Sequence, residues 1–154
     1  MLALTKKTEY ALIALTCLAR ADSRWVSARE ISAQYGIPLA LLMNILKTLA
    51  QTGLIRSVRG ARGGYVLARP ATEISVETII LAVEGPVCLT QCIAERDGVP
   101  RGKCEVRPAC PVRGPVRSIN AKLRTLLGQV RLAQLVEDPS VCPATTALAA
   151  GTTG

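Results

Sequence analysis

Arg56-Ser57-Val58-Arg59-Gly60-Ala61-Arg62-Gly63-Gly64-Tyr65-Val66-Leu67 is the stretch whose reading decides the fold. It has a short apolar-edged strand, a glycine turn bearing two arginines, and a second strand opened by an aromatic. Glycines at 60, 63 and 64 allow positive φ and close backbone approach, so the two strands close into a hairpin with a bare tip. Arg59 and Arg62 stand unshielded on that tip. Such a tip suits insertion into a DNA groove or a grip on phosphate. Taken alone, it equally suits a solvated hairpin whose charges keep the protein soluble, and the flanking sequence decides.

Upstream, Ser27-Ala28-Arg29-Glu30 is a capping box that starts a short helix running to about Tyr35, with Ile31 inward. Gly36 stops it, Ile37 fills the corner, and Pro38 suits the first turn of a helix from about Leu39 to Thr52, closed by Gly53. A short helix, a glycine turn, a longer helix and a hairpin from Leu54 to Leu67 together make a winged helix-turn-helix. In the second helix Leu42, Ile45, Leu46 and Leu49 form the buried stripe, leaving Ala40, Met43, Asn44 and Lys47 outward. Asn44 can pair with an adenine edge, Met43 and Ala40 can touch thymine methyls, and Lys47 can reach phosphate. Each is otherwise an ordinary exposed helix residue. Ahead of this unit, Thr5 or Thr8 caps a first helix to about Ala21, whose inward face carries Tyr10, Ile13, Ala14, Cys17 and Leu18. Cys17 there is a small buried apolar residue.

The fold class expected is mostly α, and the chain divides into five parts. Residues 1–70 form the winged helix-turn-helix, and residues 71–86 form a connecting helix that Ser75 caps and Gly85-Pro86 ends. Residues 87–114 are a cysteine-rich loop without sustained periodicity, a length that needs something to order it. Residues 115–137 are one long helix in which Val116, Ile119, Leu123, Leu126, Val130 and Ala133 step by three and four, a seam suited to a partner helix and hence a homodimer. Residues 138–154, rich in Ala, Thr and Gly, are expected to be a disordered tail.

Charge supports a polyanion partner. The chain carries 19 Lys and Arg against 11 Asp and Glu, a net +8. Through residue 70 there are ten basic residues against three acidic ones, so nearly all of that surplus falls on the winged half. No apolar run is long enough to span a bilayer, and Lys6, Lys7 and Glu9 interrupt the first helix where a signal peptide would be apolar. The expected location is the cytoplasm.

Six cysteines in such a protein argue for metal or redox use rather than a disulfide framework. The chain has no His, which removes imidazole-ligated zinc or iron and any Ser-His or Cys-His catalytic pair. An enzyme using a reactive thiol is accordingly the weakest reading, since no base stands beside any cysteine. Cys92, Cys104 and Cys110 lie on the loop, and three soft thiolates suit zinc or an iron–sulfur cluster. Zinc would draw on Cys88 as a fourth ligand, whereas a cluster tolerates three thiolates and a weaker ligand. From chemistry alone the two stay close.

Several segments resemble a known family. They are Leu4-Thr5-Lys6-Lys7-Thr8-Glu9-Tyr10-Ala11-Leu12, Ser57-Val58-Arg59-Gly60 with Gly63-Gly64-Tyr65, the helix of Ile79, Val83, Glu84 and Gly85, and the three-cysteine loop. The chain resembles, over about residues 1–137, the Rrf2 family of bacterial regulators, which includes IscR, NsrR and CymR. Glu84-Gly85-Pro86 and Cys104 to Cys110-Pro111-Val112-Arg113 most resemble its regulators of the SUF iron–sulfur assembly system. The resemblance implies a homodimeric, DNA-binding transcription factor, a repressor of iron–sulfur assembly genes, whose cluster senses iron, oxygen or nitric oxide. It places the cluster ligands on Cys92, Cys104 and Cys110, with Glu9 of the partner subunit as the fourth. Arg59 falls on the wing arginine that enters the minor groove, and Thr5, Lys6, Arg56, Ser57 and Arg62 complete the expected DNA-binding set. Members that hold a 2Fe–2S cluster use a His; none exists here, so 4Fe–4S is preferred. Pro38, Ala40 and Met43 replace the polar readers of IscR, so its operator does not transfer. The usual Trp after the third cysteine is missing, with Pro115-Val116 nearby, and Cys88 is extra, read as a spare. The alternative is a zinc-bound or cofactor-free winged-helix regulator answering to a metabolite or partner protein.

Overall fold

The computed structural model describes residues 4–58, 60, 63–90, 93, 95–96, 99–100 and 109–137. Its elements in order are α1 (Lys6–Arg20), α2 (Ala28–Tyr35), α3 (Leu39–Gln51), β1 (Ile55–Val58), β2 (Gly64–Leu67), α4 (Val76–Val83), β3 (Glu95–Arg96), β4 (Val99–Pro100), α5 (Arg113–Gln129) and α6 (Leu132–Glu137). The expected winged helix-turn-helix is present, in a mostly helical chain.

The capping box at Ser27 is complete. Its hydroxyl accepts from the Glu30 N–H at 3.1 Å, and the Glu30 carboxylate accepts from the Ser27 N–H at 2.7 Å. Gly36 ends α2 with φ +64°, a left-handed position that a Cβ would strain. The Ser32 hydroxyl donates to Ile37 C=O at 2.7 Å and holds the turn into α3. Leu42, Ile45, Leu46 and Leu49 of α3 are all fully buried, as their spacing requires. Each contributes about 1.5–3 kcal/mol by leaving water.

The fold centres on α1, against which α2, α3, α4, α6 and β2 all pack. Its buried residues are Thr8, Ala11, Ala14, Leu15, Cys17 and Leu18, whereas Tyr10 and Ile13 are only partly buried. The inward face is thus wider than a single stripe and turned toward Ala11 and Leu15, because neighbours surround the helix on several sides. Thr5 is the cap, accepting from the Thr8 N–H at 3.4 Å. Burial pushes the Cys17 thiol up from its ordinary pKa, in keeping with a packed, unreactive side chain.

One expectation is corrected. The helix expected over 115–137 is two helices, α5 and α6, because Val130 turns to an extended conformation (φ −74°, ψ 119°). Three backbone bonds account for the break: Val76 N–H to Val130 C=O at 2.9 Å, Leu132 N–H to Ile74 C=O at 2.8 Å, and Ala133 N–H to Ala71 C=O at 3.2 Å. The segment before α4 claims the chain there, and the reward is a fully buried Leu132 on the core. α5 starts at Arg113, two residues ahead of the expected start at Pro115, so Pro115 lies inside its first turn, where the missing proline N–H leaves no bond unmade. Residues 138–154, expected to be a disordered tail, lie outside the described residues.

The apolar seam also divides. Val116, Leu123 and Val130 are partly buried, with α5 packed on α4, and the Arg124 guanidinium pairs with Glu77 at 2.7 Å. Val112, Ile119 and Leu126, seven residues apart, are 57%, 56% and 57% exposed. Helical spacing puts Ile119 and Leu126 on one side of α5, with Val112 in the same register at its N-cap, and nothing in α5 is fully buried.

Candidate nucleic-acid interface

The wing is seated by the first residue of its second strand. Gly64 begins β2, where an added Cβ would stand 2.6 Å from Val26 O and 2.7 Å from Val26 C. Only a glycine permits the neighbouring chain to come this close. Val26 and Tyr65 then exchange backbone bonds, Val26 N–H to Tyr65 C=O at 3.0 Å and Tyr65 N–H to Val26 C=O at 2.9 Å. The link between α1 and α2 is in effect a third strand on the wing. At the tip Gly60 has φ +141° and Gly63 N–H donates to Gly60 C=O at 2.9 Å.

Between α3 and the wing lies an open groove of about 890 Å³. Leu39 and Met43 line it from α3, Ser57 and Val58 from β1, Trp25 and Ser27 from the approach to α2, and Arg29 and Glu30 from the first turn of α2. Ala40, Met43, Asn44 and Lys47 are all on the solvent side of α3, as expected, with Met43 44% exposed. Leu39 and Leu41 are exposed beside them, so the reading face of α3 is unusually apolar. Ser57 lines this groove, whereas its neighbour Arg56 lines a second cavity of about 480 Å³ with Asp22 and Arg69. Thr5 and Lys6 sit at the start of α1, both exposed, and the Lys6 ammonium pairs with Glu9 at 2.6 Å. That bond and the Glu9 charge raise the pKa of Lys6. Arg59 and Arg62 lie outside the described residues.

The start of the cysteine loop is anchored twice. Glu84, at the end of α4, accepts from the hydroxyls of both Thr5 and Thr8, and the Lys7 ammonium donates to Val83 C=O at 2.6 Å. Farther along, Asn120 of α5 accepts from Leu89 N–H at 2.9 Å and donates to Val87 C=O at 3.2 Å, bracketing Cys88. Cys88 and Cys110 are free thiols, each partly buried. Cys110 stands two residues before Val112, whose side chain makes no capping bond to the first turn of α5. Glu9 is partly buried. Cys92 and Cys104 lie outside the described residues, and among the described residues no group of three His, Cys, Asp or Glu side chains is placed to hold a metal.

The profile of the Rrf2 family, described as an iron-dependent transcriptional regulator, matches residues 4–138. The chain belongs to the Rrf2 family. Among curated relatives, an HTH-type regulator of Mycobacterium tuberculosis (strain ATCC 25618 / H37Rv) is 35% identical over 133 residues, 86% of this chain and 80% of that protein. IscR of Escherichia coli O9:H4 is 32% identical over 139 residues, 90% of this chain and 82% of its own. Among solved structures, CymR of B. subtilis, described as the global cysteine regulator, superposes with a TM-score of 0.67 at 26% identity, covering 88% of this chain and 97% of that one. T. potens IscR superposes with 0.66 at 26% identity, covering 89% and 88%. As an Rrf2 protein the chain is a DNA-binding transcriptional regulator and not an enzyme.

Sequence reading passed over Trp25, Arg29 and Glu30 as members of the groove. Trp25 sits in a link without periodicity, and only the pairing of Val26 with Tyr65 places it beside the wing. The one available signal was composition: a single Trp in a chain without Phe.

Proposed function

We propose that this protein is a homodimeric repressor whose hold on its operator depends on an iron–sulfur cluster, and that the genes it controls serve iron–sulfur assembly. The observation carrying this reading is the double anchorage of the cysteine loop. Its start is tied to the first turn of α1 through Glu84 and to α5 through Asn120. Strain arising in the loop therefore reaches the helix on which the reading unit packs and the helix with the exposed heptad face.

Cys92, Cys104 and Cys110, with Glu9 of the partner subunit, are the residues that would hold the cluster. The donor set fits: thiolates and a carboxylate, no imidazole in the chain, and an uncapped helix start just after Cys110 that favours an anionic group. When bound, a 4Fe–4S cluster supplies a tie between subunits that oxygen, nitric oxide or iron loss can break. Glu9 must give up its bond to Lys6 to serve, and Cys88, clamped by Asn120, is left as a spare. The trio Val112, Ile119 and Leu126 forms the centre of the dimer contact. On DNA, Ala40, Met43 and Asn44 read the major groove, Lys47 reaches phosphate beside it, and Arg59 enters the neighbouring minor groove. Among the described residues no helix is long and apolar enough to cross a membrane, and the regulator acts in the cytoplasm.

The test is purification without air, assay of iron and acid-labile sulfide, and operator binding before and after cluster loss. A brown protein whose affinity changes supports the reading. A colourless one that lacks iron and sulfide, with DNA binding indifferent to oxygen, overturns it. The CymR likeness favours the second reading, a zinc-bound or cofactor-free regulator responding to a metabolite or partner protein.

A further inference from the structure

We propose that the groove between α3 and the wing seats the sugar–phosphate strand dividing a major groove from its neighbouring minor groove, with Trp25 and Arg29 as its phosphate-contacting residues. This rests on the reading of α3 and the wing as the two DNA-entering elements. If α3 occupies a major groove and the wing tip the adjacent minor groove, one backbone strand must pass between them. The space it passes through is this groove of about 890 Å³, which is open to solvent and walled by α3 on one side and β1 on the other.

Trp25 is held there by a rigid platform. The two backbone bonds between Val26 and Tyr65, at 3.0 and 2.9 Å, lock the residue after it onto the wing. The indole is partly buried, and among the described residues its N–H donates to no acceptor. An indole of this kind offers one hydrogen bond to a phosphate oxygen and an apolar face to a deoxyribose. Arg29 is exposed on the same wall and pairs with no carboxylate among the described residues.

Glu30 also lines the groove, and its charge opposes a phosphate. That carboxylate is turned back onto the Ser27 N–H at 2.7 Å, where it satisfies the start of α2, and Arg24 lies close enough to act on it. The α2 terminus is therefore occupied by its own cap, and the anion contact falls to Arg29 and the indole instead. The surrounding half of the chain, ten basic residues against three acidic through residue 70, favours the same occupant.

Phosphate contacts are independent of sequence, so the test needs no operator. The full-length protein is titrated with a mixed-sequence duplex of about 30 base pairs from low salt upward. Arg29→Ala should flatten the slope of log affinity against log salt by about 0.9, the value of one phosphate contact. Trp25→Phe keeps the ring and removes the N–H, and should weaken binding about 3- to 10-fold with the slope unchanged. Trp25 is the only tryptophan, so its emission in the unaltered protein is a second readout that needs no variant. Duplex should protect it from acrylamide quenching. Unprotected emission overturns the proposal, as do Arg29→Ala and Trp25→Phe proteins that bind like the wild type. A Lys47→Ala control separates the failures. If it flattens the slope while the groove variants do not, α3 still reads DNA and only the groove assignment falls. If it too leaves the slope unchanged, the reading of α3 falls and takes this proposal with it.

Discussion

Gly64→Ala tests the seating of the wing most directly. The new Cβ would stand 2.6 Å from Val26 O and 2.7 Å from Val26 C, both backbone atoms that cannot swing aside. Ordinary contact begins near 3.4 Å, so β2 must retreat from the α1–α2 link by about 0.8 Å. The Val26–Tyr65 bonds, at 3.0 and 2.9 Å, would then stretch past 3.5 Å and be lost. Two backbone bonds at about 1 kcal/mol each, with some loosened packing around Tyr65, give a destabilisation of about 2–3 kcal/mol. At 2–4 °C per kcal/mol for a chain of this size, the melting temperature should fall by roughly 4–12 °C. Thermal unfolding followed by far-UV circular dichroism measures it, and duplex binding should weaken because the wing no longer holds its angle to α3. A variant that melts within about 1 °C of the wild type and binds DNA as well would show that the close approach at Gly64 does not seat the wing.

Other substitutions probe the core, the cap and the proposed readers. Leu46→Ala, at a fully buried position, should cost about 2–5 kcal/mol by denaturant unfolding, and a loss under 1 kcal/mol would contradict tight packing of α3 on α1. Capping bonds from the Ser27 backbone and hydroxyl hold the Glu30 carboxyl below its usual range. A carboxyl with a depressed folded pKa stabilises above its unfolded pKa, so this contribution is lost as pH falls through the folded value. It is small because Glu30 is exposed, and a Glu30→Gln protein should show a shallower acid loss of stability than the wild type. Arg59→Ala should weaken operator binding by about 1–3 kcal/mol in a mobility-shift titration; equal affinity at physiological salt removes the wing tip from the mechanism. Replacing any one of Cys92, Cys104 or Cys110 by Ala should abolish iron retention in anaerobic preparations, whereas Glu9→Ala should only shorten cluster lifetime in air. Full iron content in a cysteine variant refutes the ligand assignment.

What could be read from residues alone was whatever local chemistry dictates. The capping box at Ser27, the left-handed stop at Gly36 and the four-residue stripe of α3 follow from bonds and periodicities within a few residues of one another. The winged unit was legible because a glycine-rich hairpin directly follows two capped helices. The surplus of positive charge is likewise a property of composition, and it pointed to a polyanion without any coordinates.

Tertiary structure decided the rest, because the deciding contacts join residues far apart in sequence. The apolar steps from Leu126 through Val130 to Ala133 keep a helical period straight across the break, and no proline marks it. Only the competing bonds from Ala71, Ile74 and Val76 explain why the helix stops there. The same holds for Trp25, carried into the groove by a strand pairing with Tyr65, and for Glu84, caught by two threonines almost eighty positions upstream. Spacing reports what a segment prefers. Which neighbour satisfies its backbone and its charges is settled only when the chain has folded.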